Sequence, residues 1–219
     1  MNNDNVGTLY IVATPIGNLG DMTLRGLEIL KSVDLIACED TRVTGILLKH
    51  FEIKKPMVSY FQHSQLSKIE FLISELQNGK NIALVTDAGT PGISDPGEEL
   101  IHQIRNSSRK SKVESRKWSD NENIGQYKSE IKVIPIPGVS ALTAAASVSG
   151  MIEKEFYFAG FMAKKKGRQT KFKMLLTLDC PIVIYESALR LEKTLDEIKS
   201  YFGENAEVFI SGHETDYLF

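Results

Sequence analysis

The first 136 residues alternate between short apolar runs and stretches of helical period, and that alternation narrows the possible folds more than any other property of the chain. The apolar runs TLYIVAT (8–14), DLIAC (34–38), PMVSY (56–60), NIALVT (81–86) and IKVIPI (131–136) have strand length and composition. Between them, TLRGLEILKSV (23–33), TGILLKHF (44–51), KIEFLISELQN (68–78) and GEELIHQIRN (97–106) carry the helical repeat. Parallel neighbours need a crossover, so strict strand–helix alternation predicts a mostly parallel five-stranded sheet with helices on both faces.

A second set follows: helix 141–150, strand EFYFAGF (155–161), a helix near 168–178, strand PIVIYES (181–187), helix 190–202 and strand AEVFISG (206–212). The fold class is therefore α/β. PIPG (135–138) is a natural joint, which divides the chain into an N-terminal α/β domain, 1–137, and a C-terminal α/β domain with a smaller mixed sheet, 138–219. Residues 106–130 have neither period nor apolar content and are long for a helix-to-strand connection, so they read as a mobile surface insertion, with Trp118 as a docking candidate.

A formal net charge of −2 gives no global attraction to nucleic acid, so any such contact has to be local. No apolar run approaches the roughly 20 residues that cross a bilayer, and the N-terminus lacks the features of a signal peptide, which predicts a cytoplasmic protein without membrane contact. Cys38 and Cys180 read as core thiols, and no histidine or cysteine spacing suits a metal.

In an open α/β sheet, ligands settle outside the carboxyl ends of the strands. TPIGNLGD (14–21), EDTR (39–42) and DAGTPGISDPG (87–97) stand there, and none matches a dinucleotide fingerprint or a phosphate loop. Two of the three lead with carboxylates where a phosphate site would want lysine. Such acids suit a ligand with positive charge and ribose hydroxyls, and glycines let the backbone approach it closely. S-adenosylmethionine has those features: a sulfonium, an α-ammonium and a ribose diol.

Six ordered stretches, LYIVATPIGNLGDMTLRGLEIL, DLIACEDTRVTGILLKHF, ALVTDAGTPGISDPGEEL, VIPIPGVSALTAAASVSG, FYFAGFMAKKKGRQ and VIYESALRLEKTL, resemble the ribosomal RNA small subunit methyltransferase I family of the tetrapyrrole methylase superfamily. The likeness spans nearly the whole chain outside 106–130. It implies two α/β domains of tetrapyrrole methylase type with the donor cleft between them, a homodimer, and methylation of a cytidine ribose 2′-oxygen in small-subunit ribosomal RNA, on naked RNA or the small ribosomal subunit. Carried onto matching positions, it implies donor contacts at Pro15, Asp87, Ala88, Gly89, Thr90, Ile93, Ser94, Ser140, Ala141, Phe161 and Met162. Two departures stand out. The chain stops at SGHETDYLF, with His213, Glu214 and Thr215 where the family carries arginine-glutamate-leucine-threonine and a further strand, so the second domain reads as shortened. Ala188 and Leu189 replace the family's proline and histidine.

Methyl transfer to a ribose hydroxyl requires collinear oxygen, carbon and sulfur, and a positioned proton acceptor contributes roughly 10²–10⁴-fold. Glu39, Asp40, Asp87 and Glu186 all follow apolar strands, and Asp40 and Glu186 are the candidate catalytic residues. The run AKKKGRQTKFK (163–173) is a local cationic edge, which makes Lys164, Lys165, Lys166 and Arg168 the candidate RNA contacts. His63 reads as a surface hydrogen-bonding residue. The rival readings are a methylase of tetrapyrrole intermediates, whose carboxylates the lysines would also attract, and a donor-binding RNA-interaction module without turnover.

Overall fold

The computed structural model describes residues 6–61, 66–114 and 130–212. By their internal contacts they form two units, Met1–Ser140 and Ala141–Phe219.

The first unit runs β1 (Thr8–Val12), α1 (Leu24–Ser32), β2 (Leu35–Cys38), α2 (Thr41–His50), β3 (Met57–Ser59), α3 (Leu66–Gln77), β4 (Ile82–Val85), α4 (Glu98–Glu114) and β5 (Lys132–Ile136). Its five strands lie in the order β3-β2-β4-β1-β5 with every neighbouring pair parallel. The interior strands β2 and β4 are buried at every position, which is why LIAC and IALV are continuous rather than alternating apolar runs. The two faces separate by residue parity. Ile82 and Leu84 pack with Leu72 and Leu76 of α3 and Leu100 and Ile104 of α4, whereas Ala83 and Val85 pack with Leu30 of α1 and Leu48 of α2. Each fully buried leucine or isoleucine contributes about 1.5–3 kcal/mol, so both helix layers are held mainly by this burial.

That arrangement creates a switch point. β1 and β4 are hydrogen-bonded neighbours, yet α1 follows β1 onto one face while α4 follows β4 onto the other. Chain segments leaving adjacent strands toward opposite faces open a crevice at the strands' carboxyl ends, and it is here that open α/β sheets place ligands. The loops at this point are TPIGNLGD and DAGTPGISDPG.

The second unit runs α5 (Ala141–Val148), β6 (Tyr157–Phe161), α6 (Arg168–Leu175), β7 (Ile182–Tyr185) and α7 (Ala188–Phe202). β6 and β7 pair in parallel, with an irregularity between Phe158 and Gly160. Met162, Phe172 and Leu175 form the buried centre, and the Phe172 and Tyr201 rings stack with centroids 5.0 Å apart.

Two expectations need correction. The smaller sheet is not mixed: among the described residues it holds only the parallel pair, and 206–212 adopts no strand. Val208, Phe209 and Ile210 have strand-forming side chains and remain 43%, 38% and 51% exposed. An apolar extended segment becomes a strand only where a neighbour offers its edge N–H and C=O groups, which no sequence window reports. Secondly, α4 continues through Glu114, eight residues beyond Asn106 and into the segment read as an insertion. A nucleated helix propagates at little cost through serine, lysine and arginine, so the loss of apolar period at SSRKSKVE ends the signal but not the helix. Residues 115–129, Trp118 included, lie outside the described residues, as do His63 and His213, Glu214 and Thr215.

Candidate functional site

The site is built from loops that the sheet brings to one end. Thr14, just past β1, and Gly89, just past β4, exchange two backbone hydrogen bonds, at 2.9 and 3.0 Å, and so bridge the loops across the switch point. The Thr14 hydroxyl is buried and donates to the Thr86 carbonyl at 3.1 Å. Asp87 accepts the Asp40 backbone N–H at 3.1 Å, which ties the β4 loop to the β2 loop. The Thr90 hydroxyl donates to the Val139 carbonyl at 2.9 Å and fastens the same loop to the segment after β5. Pro15, Asp40, Asp87, Ala88, Gly89 and Thr90 are thus assembled by four strands, and Ser140 follows Val139 directly.

The β4 loop has a backbone that few residues tolerate. Gly89, Gly92 and Gly97 have φ of +86°, +82° and +130°, and Ser94 is left-handed at +59° without being glycine. At Gly97 a β-carbon would stand 2.7 Å from Leu84 Cδ2, inside the core, so both conformation and packing require glycine there. Ile93 is 46% exposed.

Electrostatics separate the acids of this end. Burial pushes the Asp95 carboxyl up to about 6, with the Glu39 and Asp87 charges adding to the shift. Burial likewise raises Glu39, as do the charges of Asp87 and Asp40. Asp87 is raised by burial and by the Asp40 charge, against the hydrogen bond from the Asp40 N–H. Asp40 goes the other way: the Arg42 side chain and N–H hold it down to about 2. It caps α2 through the Arg42 N–H at 2.8 Å and pairs with the exposed Arg42 guanidinium at 2.6 Å. Among the described residues, three carboxylates therefore sit near one another without a paired cation of their own, and Asp40, singled out as a candidate catalytic residue, is the exception. Among the described residues no three histidine, cysteine, aspartate or glutamate side chains converge to hold a metal.

Beside these acids, the Thr86 hydroxyl is buried with no hydrogen-bond partner among the described residues. An orphan of this kind costs about 1–3 kcal/mol unless a ligand or water satisfies it.

In the second unit, Phe161 at the end of β6 is exposed and tilts against Tyr185, whereas the Met162 side chain is buried. Ala141 opens α5, whose first turn is held to β7 by the Leu142 N–H donating to the Tyr185 hydroxyl at 2.9 Å. Lys164, Lys165 and Lys166 are exposed. Arg168 is not. Its guanidinium is buried, pairs with Glu197 at 2.6 Å, and donates to Thr194 at 2.7 Å and to the Ala163 carbonyl at 3.1 Å. It is committed inside the unit and is withdrawn from the phosphate edge; α6 begins at Arg168 and turns it inward beside Phe172.

Glu186, the other candidate catalytic residue, is enclosed by cations. It lies between Arg190 at 2.5 Å and Arg168 at 3.4 Å, and it accepts from Thr194 and the Ser187 N–H, each at 2.8 Å. Burial alone would raise its carboxyl, but these hydrogen bonds and charges outweigh burial and hold it below the usual range. Sequence reasoning passed over Arg190, Thr194 and Glu197, although their spacing marks a polar stripe on one face of α7. Glu39 is among the strand-end acids read from the sequence and Asp95 stands inside DAGTPGISDPG, but no stretch of sequence ranks them by burial.

The chain is similar to proteins of known class. Residues 8–115 match the model of the Tetrapyrrole (Corrin/Porphyrin) Methylases. "Ribosomal RNA small subunit methyltransferase I" of Synechocystis sp. is 43% identical over 97% of this chain and 68% of its own length. The protein of the same name from Haemophilus influenzae is 40% identical, with the same shares covered. Among solved structures, a cobalt precorrin-4 methyltransferase superposes with a TM-score of 0.59 at 17% identity, covering 90% of this chain and 76% of that one. That likeness establishes the α/β fold. The sequence relatives establish more: the chain belongs to the ribosomal RNA small subunit methyltransferase I family.

Proposed function

We propose that the chain methylates the ribose 2′-oxygen of a cytidine in small-subunit ribosomal RNA, with S-adenosylmethionine as the methyl donor. The observation that carries this reading is the switch-point end of the first sheet, where the Thr14–Gly89 bridge holds two loops beside three acids with raised pKa values. When bound, the donor supplies an electrophilic methyl on a positively charged sulfur. The residues present fit such a ligand. Carboxylates of Glu39, Asp87 and Asp95 match its cationic groups and ribose hydroxyls, the unpartnered Thr86 hydroxyl has a hydrogen bond to give, and the Asp87–Thr90 turn offers backbone groups.

Each part has a physical task. Pro15, Ala88, Gly89, Thr90, Ile93, Ser94, Ser140, Ala141, Phe161 and Met162 are the proposed donor contacts. The acceptor hydroxyl has to lose its proton as the bond forms. Asp40, held to about 2 by Arg42, and Glu186, saturated by two arginines, are poor acceptors; the raised carboxylates are better matched to that proton. Lys164, Lys165 and Lys166 are free to meet the RNA backbone, while Arg168 is spent internally. A homodimer working in the cytoplasm completes the reading, and sedimentation of the purified chain tests the dimer.

The decisive experiment is to map methyl incorporation from labelled donor into small ribosomal subunits that lack the modification. Incorporation at one cytidine 2′-oxygen is expected. Transfer to a tetrapyrrole instead, or donor binding with no transfer to any RNA, would replace this reading by one of the two rivals.

A further inference from the structure

Where β6 ends, its hydrogen-bond ladder ends too, and the chain passes from Phe161 through Met162 and Ala163 into the lysine run. Two arginines, Arg168 buried and Arg190 half-buried, take over at that point. Arg190 donates to the Met162 carbonyl at 3.2 Å and Arg168 to the Ala163 carbonyl at 3.1 Å. Each guanidinium is itself fixed by one oxygen of the same carboxylate, Arg190 by Glu186 Oε1 and Arg168 by Glu186 Oε2. Thr194 joins the circuit, accepting from Arg168 at 2.7 Å and donating to Glu186 at 2.8 Å, and Glu197 balances the second positive charge.

We infer that Glu186, acting through Arg168 and Arg190, is a positioning residue that sets the course of the backbone at Met162 and Ala163, and thereby donor affinity. This rests on the donor-binding reading above. The network's chemistry supports it. Ion pairs taken out of water gain little net stability over apolar packing of equal volume, so their worth lies in the geometry they impose. Here that geometry is directional: guanidiniums are planar forks, and both forks are aimed at successive carbonyls of the one segment that joins the expected donor contacts to the expected RNA contacts.

The test uses Arg190→Ala and Arg190→Lys in the full chain, because the Arg190 side chain is 25% exposed and its removal leaves little buried void. Lysine keeps the charge but cannot bond Glu186 and the Met162 carbonyl in one plane. Amide hydrogen exchange over 160–166 is compared with exchange over α7, alongside donor kinetics. In Arg190→Ala, exchange across 162–166 is expected to rise about tenfold while α7 is unchanged. The donor KM should rise about tenfold, with kcat at saturating donor kept within about twofold, and Arg190→Lys should fall between. A loss of kcat and KM together with faster exchange in α7 would mean general loosening, and would overturn the proposal. Unchanged exchange at 162–166 overturns the clamp; faster exchange with an unchanged KM overturns its link to the donor. A wild-type chain that binds no donor sinks the methyltransferase reading itself, and the exchange arm then reports on the clamp alone.

Discussion

Both sheets end their strands in carboxylates, and the two ends treat them in opposite ways. In the first unit Glu39, Asp87 and Asp95 share one end of the sheet, each pushed upward by burial and by its acidic neighbours. In the second, the Glu186 side chain is only 6% exposed and yet is held below its usual range, because two arginines, a threonine and a backbone N–H converge on it. Burial acts alike on both; the supply of countercharge differs. The lesson is that a strand-end acid is a poor guide to chemistry by itself. An acid left without countercharge stores unfavourable energy that a cationic ligand can relieve, whereas an acid already neutralised braces the fold.

The largest test of this contrast is Glu186→Ala. It leaves Arg168 buried with Glu197 as its one acidic partner among the described residues, and stability to urea should fall by about 3–5 kcal/mol. A loss under about 1 kcal/mol would show that pairing is not what distinguishes the two ends. Next in size is the difference between free and committed cations. Replacing Lys164, Lys165 and Lys166 by glutamine should reduce the slope of log affinity for RNA against log salt by about 2 to 3. No change in slope would place the phosphate contacts elsewhere.

Asp95→Asn probes the unpaired end. An acid whose folded value is raised keeps, in the folded state, a proton that the unfolded chain gives up. The wild-type chain is therefore favoured below about pH 4 and loses stability as pH rises through about 6. Asparagine should flatten that profile and stabilise the chain at pH 7.5 by about 1 kcal/mol, a figure reduced for solvent screening. An unaltered pH profile of urea midpoints would remove Asp95 as its source. If the donor's positive charge faces this end, its binding should also release protons near pH 6, which calorimetry in buffers of different ionisation heat would detect. The smallest effect belongs to Asp40→Asn. The Asp40–Arg42 pair is on the surface, and asparagine caps a helix as well as aspartate, so the melting midpoint at pH 7 should not move measurably. What Asp40 adds is present above its ordinary value near 4 and lost as pH falls toward 2.

Much of this was readable beforehand. The five strands of the first unit fall within the apolar runs that announced them, and the loops after β1 and β4 stand where parallel topology requires. What escaped had no local signature. SSRKSKVE continued a helix without an apolar repeat, and AEVFISG had strand residues but no partner strand among the described residues. Arg168 looked like its lysine neighbours until α6 turned it into the core.

Taken alone, the sequence determined the parallel doubly wound sheet, the identity of the loops at its carboxyl end and the family, because periodicity, turn chemistry and ordered motifs are written over a few residues at a time. Only tertiary structure decided which charges would be left without a partner. The contacts that settle it join residues distant in the chain: Asp40 to Asp87 across 47 positions, Arg168 to Glu197 across 29 and to Glu186 across 18. Desolvation and pairing depend on what the fold brings within a few ångströms, and no stretch of neighbouring letters contains that distance.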